Sequence, residues 1–529
     1  MRNFHLGGRS AARAGNAMAA TSQPSSTLAA LDILRAGGNA LDAAIAACAV
    51  QCVTEPGSTG IGGDCFCLYQ PAGAATPVAF NGSGRAPGKA NLGFFQENGI
   101  TELDPTSAHV VTVPGAIDAW ETLARDHGKL GLDRLLAPAI GYAEDGFIVH
   151  ERTERDFAGQ QAKLAKDAGA RATYFNAANA LPRAGDVLRQ PALARTLRAI
   201  AERGRDAFYT GEVADDIVAT LNGKGGLHDL ADFAEAKGEY VTPIQTTFRG
   251  YDVFECPPNG VGVIALLMLN MIEAMPVSDG PVDVARLHRM IEATRLAYRD
   301  RNAFVADPAF SDMPMETLLS KDYASALAGG IEPAKAAQNL PPAGLAGQGD
   351  TVYISVVDRD GNACSFINSL FKGFGSGIVA AKSGVVLQNR GFGFVLTEGH
   401  PNQIEPKKRP MHTIIPGMLS KGGKAVMPFG VMGGHYQPVG HSWLLSSMLD
   451  HGLDPQEAID LPRLFAYEGM VEIEDGQDPK TVAALEAMGH KMKTVKMPHG
   501  GAQAIWIDHE RGTLVGGSES RKDGLALGF

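Results

Sequence analysis

Cysteine is scarce in this sequence and too scattered to form a disulfide framework. The six cysteines are Cys48, Cys52, Cys65, Cys67, Cys256 and Cys364. Cys65 and Cys67 fall on one face of a predicted strand, but no second pair of metal ligands accompanies them. We therefore expect structural thiols and no metal site.

Clustered positive charge and long apolar runs are also missing. The net charge is −11, and the short basic run Lys407-Lys408-Arg409 is typical of a solvated turn rather than of a nucleic-acid or anionic-membrane surface. The sequence contains no run of about 18 apolar residues, which argues against a transmembrane helix. Residues 1–18 contain three arginines but no apolar core of signal-peptide length. The sequence thus predicts a cytoplasmic protein without nucleic-acid or membrane partners.

Apolar patterning predicts helices mostly in the first part of the chain and strands mostly after residue 350. Residues 23–53 are predicted to form two helices, and residues 261–275 a buried one. The Gly-rich residues 57–63 precede a strand, which is the wrong order for a phosphate-binding loop and favours tight backbone packing. Residues 330–350 lose periodicity and are predicted to be a linker. This order suggests layered α/β packing over a shared core.

The end of this linker raises a chemical question. Residues 347–366, GQGDTVYISVVDRDGNACSF, pass directly from a Gly-rich run into a strand that begins at Thr351. A β-branched residue at a strand start is ordinary, and nothing in the sequence indicates phosphorylation. A third interpretation is an N-terminal nucleophile, because cleavage before Thr351 would free its α-amine to act as base for its own hydroxyl. Spacing alone leaves these interpretations open.

Four sequence blocks decide between them. They are ALDILRAGGNALDAAIAACAVQCVTEPGSTGIGGDCF, then GDTVYISVVDRDGNACSF followed by FGSGIV, then KKRPMHTIIP, and finally GVMGGHYQP. In this order they resemble the γ-glutamyltranspeptidase family of N-terminal-nucleophile hydrolases, from about Asn16 to Phe465. The resemblance implies an α/β fold, a four-layer αββα sandwich. It also implies two interleaved fragments, a large subunit 1–350 and a small subunit 351–529.

The resemblance also assigns chemical roles. It implies cleavage between Asp350 and Thr351, with Thr351 as nucleophile and its α-amine as base. Gly433 and Gly434 match the family's oxyanion hole, whose backbone N–H groups stabilise the tetrahedral oxygen. Ser369 lies where the family has a hydroxyl residue near the nucleophile's amine. No metal or organic cofactor is implied. The two fragments would form a heterodimer, and further pairing of such units stays open.

The sequence departs from the family where a γ-glutamyl group would bind. Phe371, Arg390 and Gly393 stand where the family holds the substrate's ammonium group, so an acidic partner is lost and a cation is gained. His412-Thr413 keeps only one of two hydroxyls that hold the carboxylate. Arg85 lies near the family's carboxylate-binding arginine but not at its spacing. Such a pocket suits a carboxylate and repels an ammonium group.

These departures leave the substrate open. The QNRG variant resembles the branch that contains oxamate amidohydrolase. We expect an autoprocessed N-terminal-Thr amidohydrolase that cleaves a γ-glutamyl amide such as glutathione, or a similar small carboxylate-bearing amide. The alternative functions are an oxamate-type amidohydrolase or dicarboxylate mono-amide acylase, and an unprocessed non-catalytic binding relative. For Arg390 alone, the alternative role is a structural salt bridge. The short segment 395–406 leaves little chain for a lid and favours hydrolysis over transfer.

Overall fold

The computed structural model describes residues 8–338 and 350–529, without the side chain of Asp350. Most of the predicted linker, residues 339–349, lies outside the described residues. Two antiparallel seven-stranded sheets form the centre of the described chain. The first, here the Thr351 sheet, contains in spatial order β21 (Leu525–Gly528), β2 (Met18–Thr21), β10 (Asp350–Val357), β11 (Ala363–Phe371), β3 (Asp64–Gln70), β4 (Val78–Gly82) and β7 (Glu239–Val241).

In the second sheet, here called the Gly433 sheet, one strand ends just before Gly433. Its spatial order is β1 (Ala12–Ala14), β20 (Thr513–Ser518), β19 (Gly501–Asp508), β15 (Lys424–Met432), β14 (Gly417–Lys421), β9 (Tyr251–Glu255) and β8 (Ile244–Phe248). Smaller sheets pair β5 (Phe147–Ile148) with β6 (Val187–Leu188), β12 (Val379–Ala380) with β13 (Val385–Val386), and β16 (Leu464–Tyr467) with β17 (Met470–Ile473) and β18 (Met492–Thr494).

Helices cover the outer faces of both sheets. The helices of the first part of the chain, several of which pack on the Thr351 sheet, are α1 (Pro24–Arg35), α2 (Ala40–Thr54), α3 (Leu92–Glu97), α4 (Ala116–His127), α5 (Leu132–Asp145), α6 (Glu151–Leu164), α7 (Ala168–Tyr174), α8 (Pro191–Arg203), α9 (Asp206–Tyr209), α10 (Glu212–Asn222) and α11 (Leu230–Ala234). The helices on the side of the Gly433 sheet are α12 (Gly262–Glu273), α13 (Val284–Phe304), α14 (Met315–Leu319), α15 (Lys321–Gly329), α16 (Gln437–His451), α17 (Pro455–Asp460) and α18 (Pro479–Ala487).

Three hydrophobic cores lie between the layers, and the two faces of β10 contribute to two of them. Tyr353 and Val357 point into the core between the two sheets, whereas Ile354 and Val356 point into the core beneath α1 and α2. A third core lies between the Gly433 sheet and α12, α13 and α16. Because side chains alternate between the two faces of a strand, β10 packs against a different core on each face. This arrangement confirms the predicted α/β sandwich.

The two predicted helices near the start of the chain are present as α1 and α2. Gly37, with a φ of +95°, follows the end of α1, and Asn39 caps α2 and forms a capping box with Asp42. Every residue of α2 is buried, as its Ala-rich, apolar sequence predicts. All six cysteines are buried and free, which agrees with structural thiols. None of the helices in the described ranges is both long and apolar enough to span a membrane.

The Gly-rich loop packs tightly against the strands that carry the site. A Cβ atom on Gly62 would lie 2.1 Å from the Val386 carbonyl oxygen, and one on Gly63 would lie 2.3 Å from that of Ser369. Both approaches are far below van der Waals contact, so only glycine fits. The loop is thus a packing device, as predicted, and it brings Asp64 to the start of β3.

Candidate active site

Thr351 lies near the start of β10, in the middle of its sheet. The residue is buried, and its Oγ1 atom is 3.0 Å from the Oγ atom of Ser369 on the neighbouring strand β11. The strand register shifts between Asp350 and Val352, so a bulge sits at Thr351. Bulges re-aim side chains at the ends of strands. The predicted pair Thr351 and Ser369 is therefore brought into direct contact.

The end of β15 that leads into Gly433 lies at the same end of the two-sheet stack. Ser355 Oγ donates to the Pro428 carbonyl oxygen at 3.0 Å, and a Cβ atom on Gly430 would lie 2.3 Å from the Tyr353 ring. The two strands run in opposite directions here, so the start of β10, with Thr351, and the last residue of β15, Met432, extend towards the same end of the stack.

Gly433 and Gly434 turn the chain from β15 into α16. Their φ angles are +118° and +58°, in the left-handed region that favours glycine. A Cβ atom on Gly433 would also lie 2.6 Å from Gly500 Cα. Gly433 lines a cavity of about 350 Å³ together with Gly373 and Phe374. The N-terminus of α16, which follows, adds a positive partial charge at this end of the sheet.

Arg390 is the cation of the site and is completely buried. Its Nη1 donates to Thr413 Oγ1 at 2.8 Å and its Nη2 to Ser369 Oγ at 3.2 Å, while its Cζ lies 4.2 Å from the centre of the Phe371 ring. Its Nε has no hydrogen-bond partner. No carboxylate of the described residues lies within 4.0 Å of this guanidinium, so the salt-bridge interpretation finds no partner there.

This isolation perturbs the guanidinium. Burial lowers the pKa of Arg390 to about 9, although the carboxylate of Asp64 acts in the opposite direction. A buried cation without a counter-ion is costly. Phe371, beneath it, also has a φ of +81°, which is rare for a residue with a side chain. Strain and an uncompensated charge concentrated at one place are typical of a binding site.

Asp64, the nearest acid, is already saturated. Its Oδ1 accepts hydrogen bonds from the Gly84 and Gly115 N–H groups at 2.9 and 3.1 Å and from Gln388 Nε2 at 2.9 Å. Its Oδ2 lies 3.0 Å from His412 Nε2. Asp64 therefore fixes the strand ends around Arg390 instead of neutralising it.

His412 faces Asp64 and leaves Thr413 to face Arg390. Its Nδ1 accepts from the Ile414 N–H at 3.3 Å, so both ring nitrogens are used within the protein. Burial and the charge of Arg390 lower the pKa of His412 to about 3, and the ring is neutral. The structure gives His412 a supporting contact and no free nitrogen for a ligand.

Arg85 belongs to a different set of charges. Its Nη1 donates to the Lys407 carbonyl oxygen at 3.1 Å, and its guanidinium lies 3.7 Å from Asp307 and 3.9 Å from Glu239. No contact joins Arg85 to Arg390 or Thr351 in the described part of the chain. The structure therefore does not bring it together with the other predicted site residues.

One cluster has the residue types of a metal site. His288, Glu292 and His490 are buried, and their ligand atoms lie within 4.8 Å of one another. His288 Nδ1 is 2.8 Å from His490 Nε2, while His288 Nε2 lies 2.7 Å from the Glu332 carbonyl oxygen. These direct hydrogen bonds join the two rings to each other, and we assign the cluster to packing between α13 and the loop after α18.

Comparison with known proteins decides the family. The sequence model of the family described as Gamma-glutamyltranspeptidase matches residues 26–529. The chain belongs to this family. It is 37% identical to the glutathione hydrolase-like YwrD proenzyme of Bacillus subtilis, over 94% of this chain and 95% of that protein. It is 34% identical to the oxamate amidohydrolase proenzyme of Klebsiella pneumoniae, over 94% of this chain and 96% of that protein.

A solved structure agrees over the whole chain. The crystal structure of cephalosporin acylase from Bacillus halodurans superposes with a TM-score of 0.93 and 39% identity, covering 100% of this chain and 98% of that one. These γ-glutamyltranspeptidase relatives are hydrolases, so the predicted family, fold and enzyme class are confirmed. Their names refer to three different substrates, and family membership alone therefore does not choose among them.

Two supporting residues of this γ-glutamyltranspeptidase-type site were missed by the sequence analysis. Asp64 and Gln388 connect the Gly-rich loop to the turn that carries Arg390, at 2.9 Å between Oδ1 and Nε2. Asp64 lies in the first sequence block that carries the family resemblance, and Gln388 lies two residues before Arg390 in the QNRG stretch. An acid at the end of a Gly-rich packing loop was the available signal.

Ser369→Ala tests the contact with Thr351. Loss of this hydroxyl removes one hydrogen bond from Thr351 and one acceptor from Arg390, so we expect kcat to fall roughly 5- to 20-fold. Ser365→Ala is the matched control, because Ser365 lies on the same face of β11 but bonds to the Tyr353 hydroxyl at 2.7 Å. Steady-state kinetics on both variants check this, and equal effects would contradict a specific role for Ser369.

Proposed function

We propose that the chain is a precursor that cleaves itself between Asp350 and Thr351, and that the freed Thr351 then hydrolyses a small carboxylate-bearing amide. The observation that carries the proposal is a line of direct contacts from Thr351 through Ser369 to Arg390. A potential nucleophile and an unpaired buried cation are joined through a single hydroxyl. No metal or organic cofactor enters the proposed chemistry.

Cleavage uses the hydroxyl of Thr351 twice. Its Oγ1 first attacks the carbonyl carbon of Asp350, and the acyl group moves from nitrogen to oxygen to give an ester. This shift breaks the peptide C–N bond and frees the α-amine of Thr351. Water then hydrolyses the ester, which releases the Asp350 carboxylate and the Thr351 hydroxyl. Thr351 is buried in the intact chain. The proposal therefore requires the Asp350 end to move aside before a substrate can enter.

The two fragments would stay together after cleavage. In the Thr351 sheet, β2 and β3 from residues 1–350 flank β10 and β11 from residues 351–529. Separation would break ladders on both sides of the central hairpin and expose the core between the sheets. This interleaving supports a heterodimer of fragments. The relatives from B. subtilis and K. pneumoniae are likewise named proenzymes.

The same groups then act on the substrate. The α-amine takes the proton of Thr351 Oγ1 as this oxygen attacks the amide carbonyl, and passes it to the leaving nitrogen. The Gly433 and Gly434 N–H groups receive the tetrahedral oxygen. Water attacks the resulting acyl-enzyme ester, which yields the acid and regenerates Thr351.

The charges of the site favour an acyl group with a carboxylate and without an α-ammonium group. Arg390 and Thr413 offer donors to a carboxylate, and Asp64, the nearest acid, already has its four hydrogen bonds. An ammonium group placed here would meet an unpaired cation in a dry site. We therefore place oxamate-type and dicarboxylate mono-amides ahead of γ-glutamyl compounds.

A matched pair of substrates tests this assignment. Glutaryl-p-nitroanilide and γ-glutamyl-p-nitroanilide differ only in the α-ammonium group, and oxamate can be followed beside them by ammonia release. We expect kcat/KM to be at least about tenfold higher for the glutaryl compound, equivalent to about 1.4 kcal/mol. A preference for the γ-glutamyl compound would overturn the substrate assignment. A cleaved enzyme inactive on all three would overturn the proposed amidase function for these classes.

A further inference from the structure

A second buried arginine lies close to the turn formed by Gly433 and Gly434. Arg301 on α13 is 1% exposed, and no carboxylate of the described residues lies within 4.0 Å of it. Its Nε and Nη2 donate to Asn302 Oδ1 at 3.0 and 2.8 Å, and its Cζ lies 4.3 Å from the centre of the Tyr298 ring. The remaining nitrogen, Nη1, is 3.0 Å from His435 Nδ1.

This contact fixes the protonation of His435. A guanidinium has only donors, so His435 Nδ1 must be the acceptor and must lack a proton. The single ring proton of a neutral histidine is then on Nε2. Burial, followed by the charges of Arg301, Arg390 and Lys372, also lowers the pKa of His435 well below its usual range. His435 therefore presents a neutral ring with one N–H donor.

The ring is held at the site by its neighbours. His435 directly follows Gly434, and the Tyr298 hydroxyl donates to its backbone carbonyl oxygen. The ring stacks on Tyr467 with centres 5.5 Å apart and meets Phe371 edge to face at 5.9 Å. Among the described residues, Nε2 has no hydrogen-bond partner, and the atom is not fully buried. Its N–H is thus available to a ligand.

We propose that His435 Nε2–H binds an oxygen of the acyl group and that Arg301 is the positioning residue that holds this tautomer. The inference rests on the proposed amidase function and deepens it. The only lone pair of the neutral ring is used by Arg301, so His435 offers a substrate a donor and no acceptor. An acyl oxygen can pair with this group, whereas an α-ammonium group cannot.

The charged groups around His435 also favour its neutral form. Arg301 from α13, Arg390 from its turn and Lys372 after β11 place positive charge around the ring, while Tyr298 and Tyr467 contribute uncharged faces. Protonation of His435 would break its bond to Arg301 and add another cation. The preference for ammonium-free acyl groups is therefore predicted to be independent of pH in the wild-type enzyme.

The test compares Arg301→Met with the conservative Arg301→Lys, using the ratio of kcat/KM for the glutaryl and γ-glutamyl nitroanilides between about pH 5.5 and 8. The ratio cancels the titration of the Thr351 α-amine, because both substrates depend on it equally. The wild-type ratio should be flat. In Arg301→Met the ring stays neutral, because burial, Arg390 and Lys372 still disfavour its charged form. Either ring nitrogen can then carry the proton, so the ratio should fall about tenfold across this pH range. Arg301→Lys offers only donors to Nδ1 and should restore the wild-type ratio.

His435→Phe and His435→Gln test the donor itself. Phe keeps the stacking on Tyr467 but loses the N–H, so KM for the glutaryl compound should rise about tenfold with a smaller change in kcat. Gln keeps a donor and should recover part of this loss. Denaturing mass spectrometry shows whether each variant is cleaved. Cleaved variants with wild-type ratios, profiles and KM values would overturn the inference and leave the proposed function intact. Inactivity of the cleaved wild-type enzyme on both nitroanilides and on oxamate would instead remove the proposed function.

Discussion

Thr351→Ala is expected to leave a single intact chain of 529 residues without amidase activity. Alanine lacks the hydroxyl that attacks the Asp350 carbonyl, so neither the ester nor the free α-amine can form. Loss of a nucleophile typically lowers kcat by a factor on the order of 10⁴ or more. Denaturing gel electrophoresis and mass spectrometry follow the cleavage, and hydrolysis of glutaryl-p-nitroanilide follows the activity.

Thr351→Ser is the matched control for this variant. Serine keeps the hydroxyl and removes only a methyl group, so cleavage and activity should persist at reduced rates. Thermal unfolding should show that the alanine variant is folded, since it loses one methyl group and one hydrogen bond. A Thr351→Ala protein that is cleaved at the same bond and remains active would contradict the mechanism.

Arg390→Gln is expected to lower kcat/KM for the glutaryl compound by roughly 30- to 5000-fold, because truncating a buried, hydrogen-bonded charged group costs about 2–5 kcal/mol. Arg390→Lys keeps the charge but offers a single donor group, and should lose less. The stability of the free enzyme gives an independent measurement. Removal of a buried cation without a counter-ion should leave the melting temperature unchanged or raise it. A large drop in melting temperature would instead indicate a structural ion pair.

A second substitution extends this test to specificity. Arg390→Gln combined with Gly393→Asp restores an acid and should shift preference towards the γ-glutamyl compound. A Cβ atom at position 393 would lie 2.9 Å from the Met411 carbonyl oxygen, so this turn must adjust slightly. The single variant is therefore the primary test. An unchanged preference in a folded, cleaved double variant would contradict the assignment of this pocket.

Local features of the fold were predictable from the sequence. The Ala-rich run predicts a buried helix, which α2 confirms, and the alternation after Thr351 predicts the hairpin of β10 and β11. In the turn that closes this hairpin, the Asp360 and Asn362 N–H groups donate hydrogen bonds to Asp358 Oδ1. Such elements depend on neighbours within a few residues, and short-range pattern is sufficient to define them.

Long-range arrangement was not predictable from pattern. Nothing local indicates that β2 and β3 enclose a hairpin from far along the chain, and this order was expected only through family resemblance. The same limit applies to the site. Arg390 and Thr413, both predicted to line the pocket, are in contact. The pairings of Arg85 with Asp307 and of His435 with Arg301 depend on three-dimensional proximity, which no local pattern reveals.

The most direct test of the central claim is the intact mass of the purified wild-type protein under denaturing conditions, before and after a brief reaction with glutaryl-p-nitroanilide. The account predicts two polypeptides, residues 1–350 and 351–529, and a glutaryl adduct on the second one only. The adduct should disappear as hydrolysis is completed. A single uncleaved chain after prolonged incubation, or an adduct on residues 1–350, would contradict Thr351 as the nucleophile.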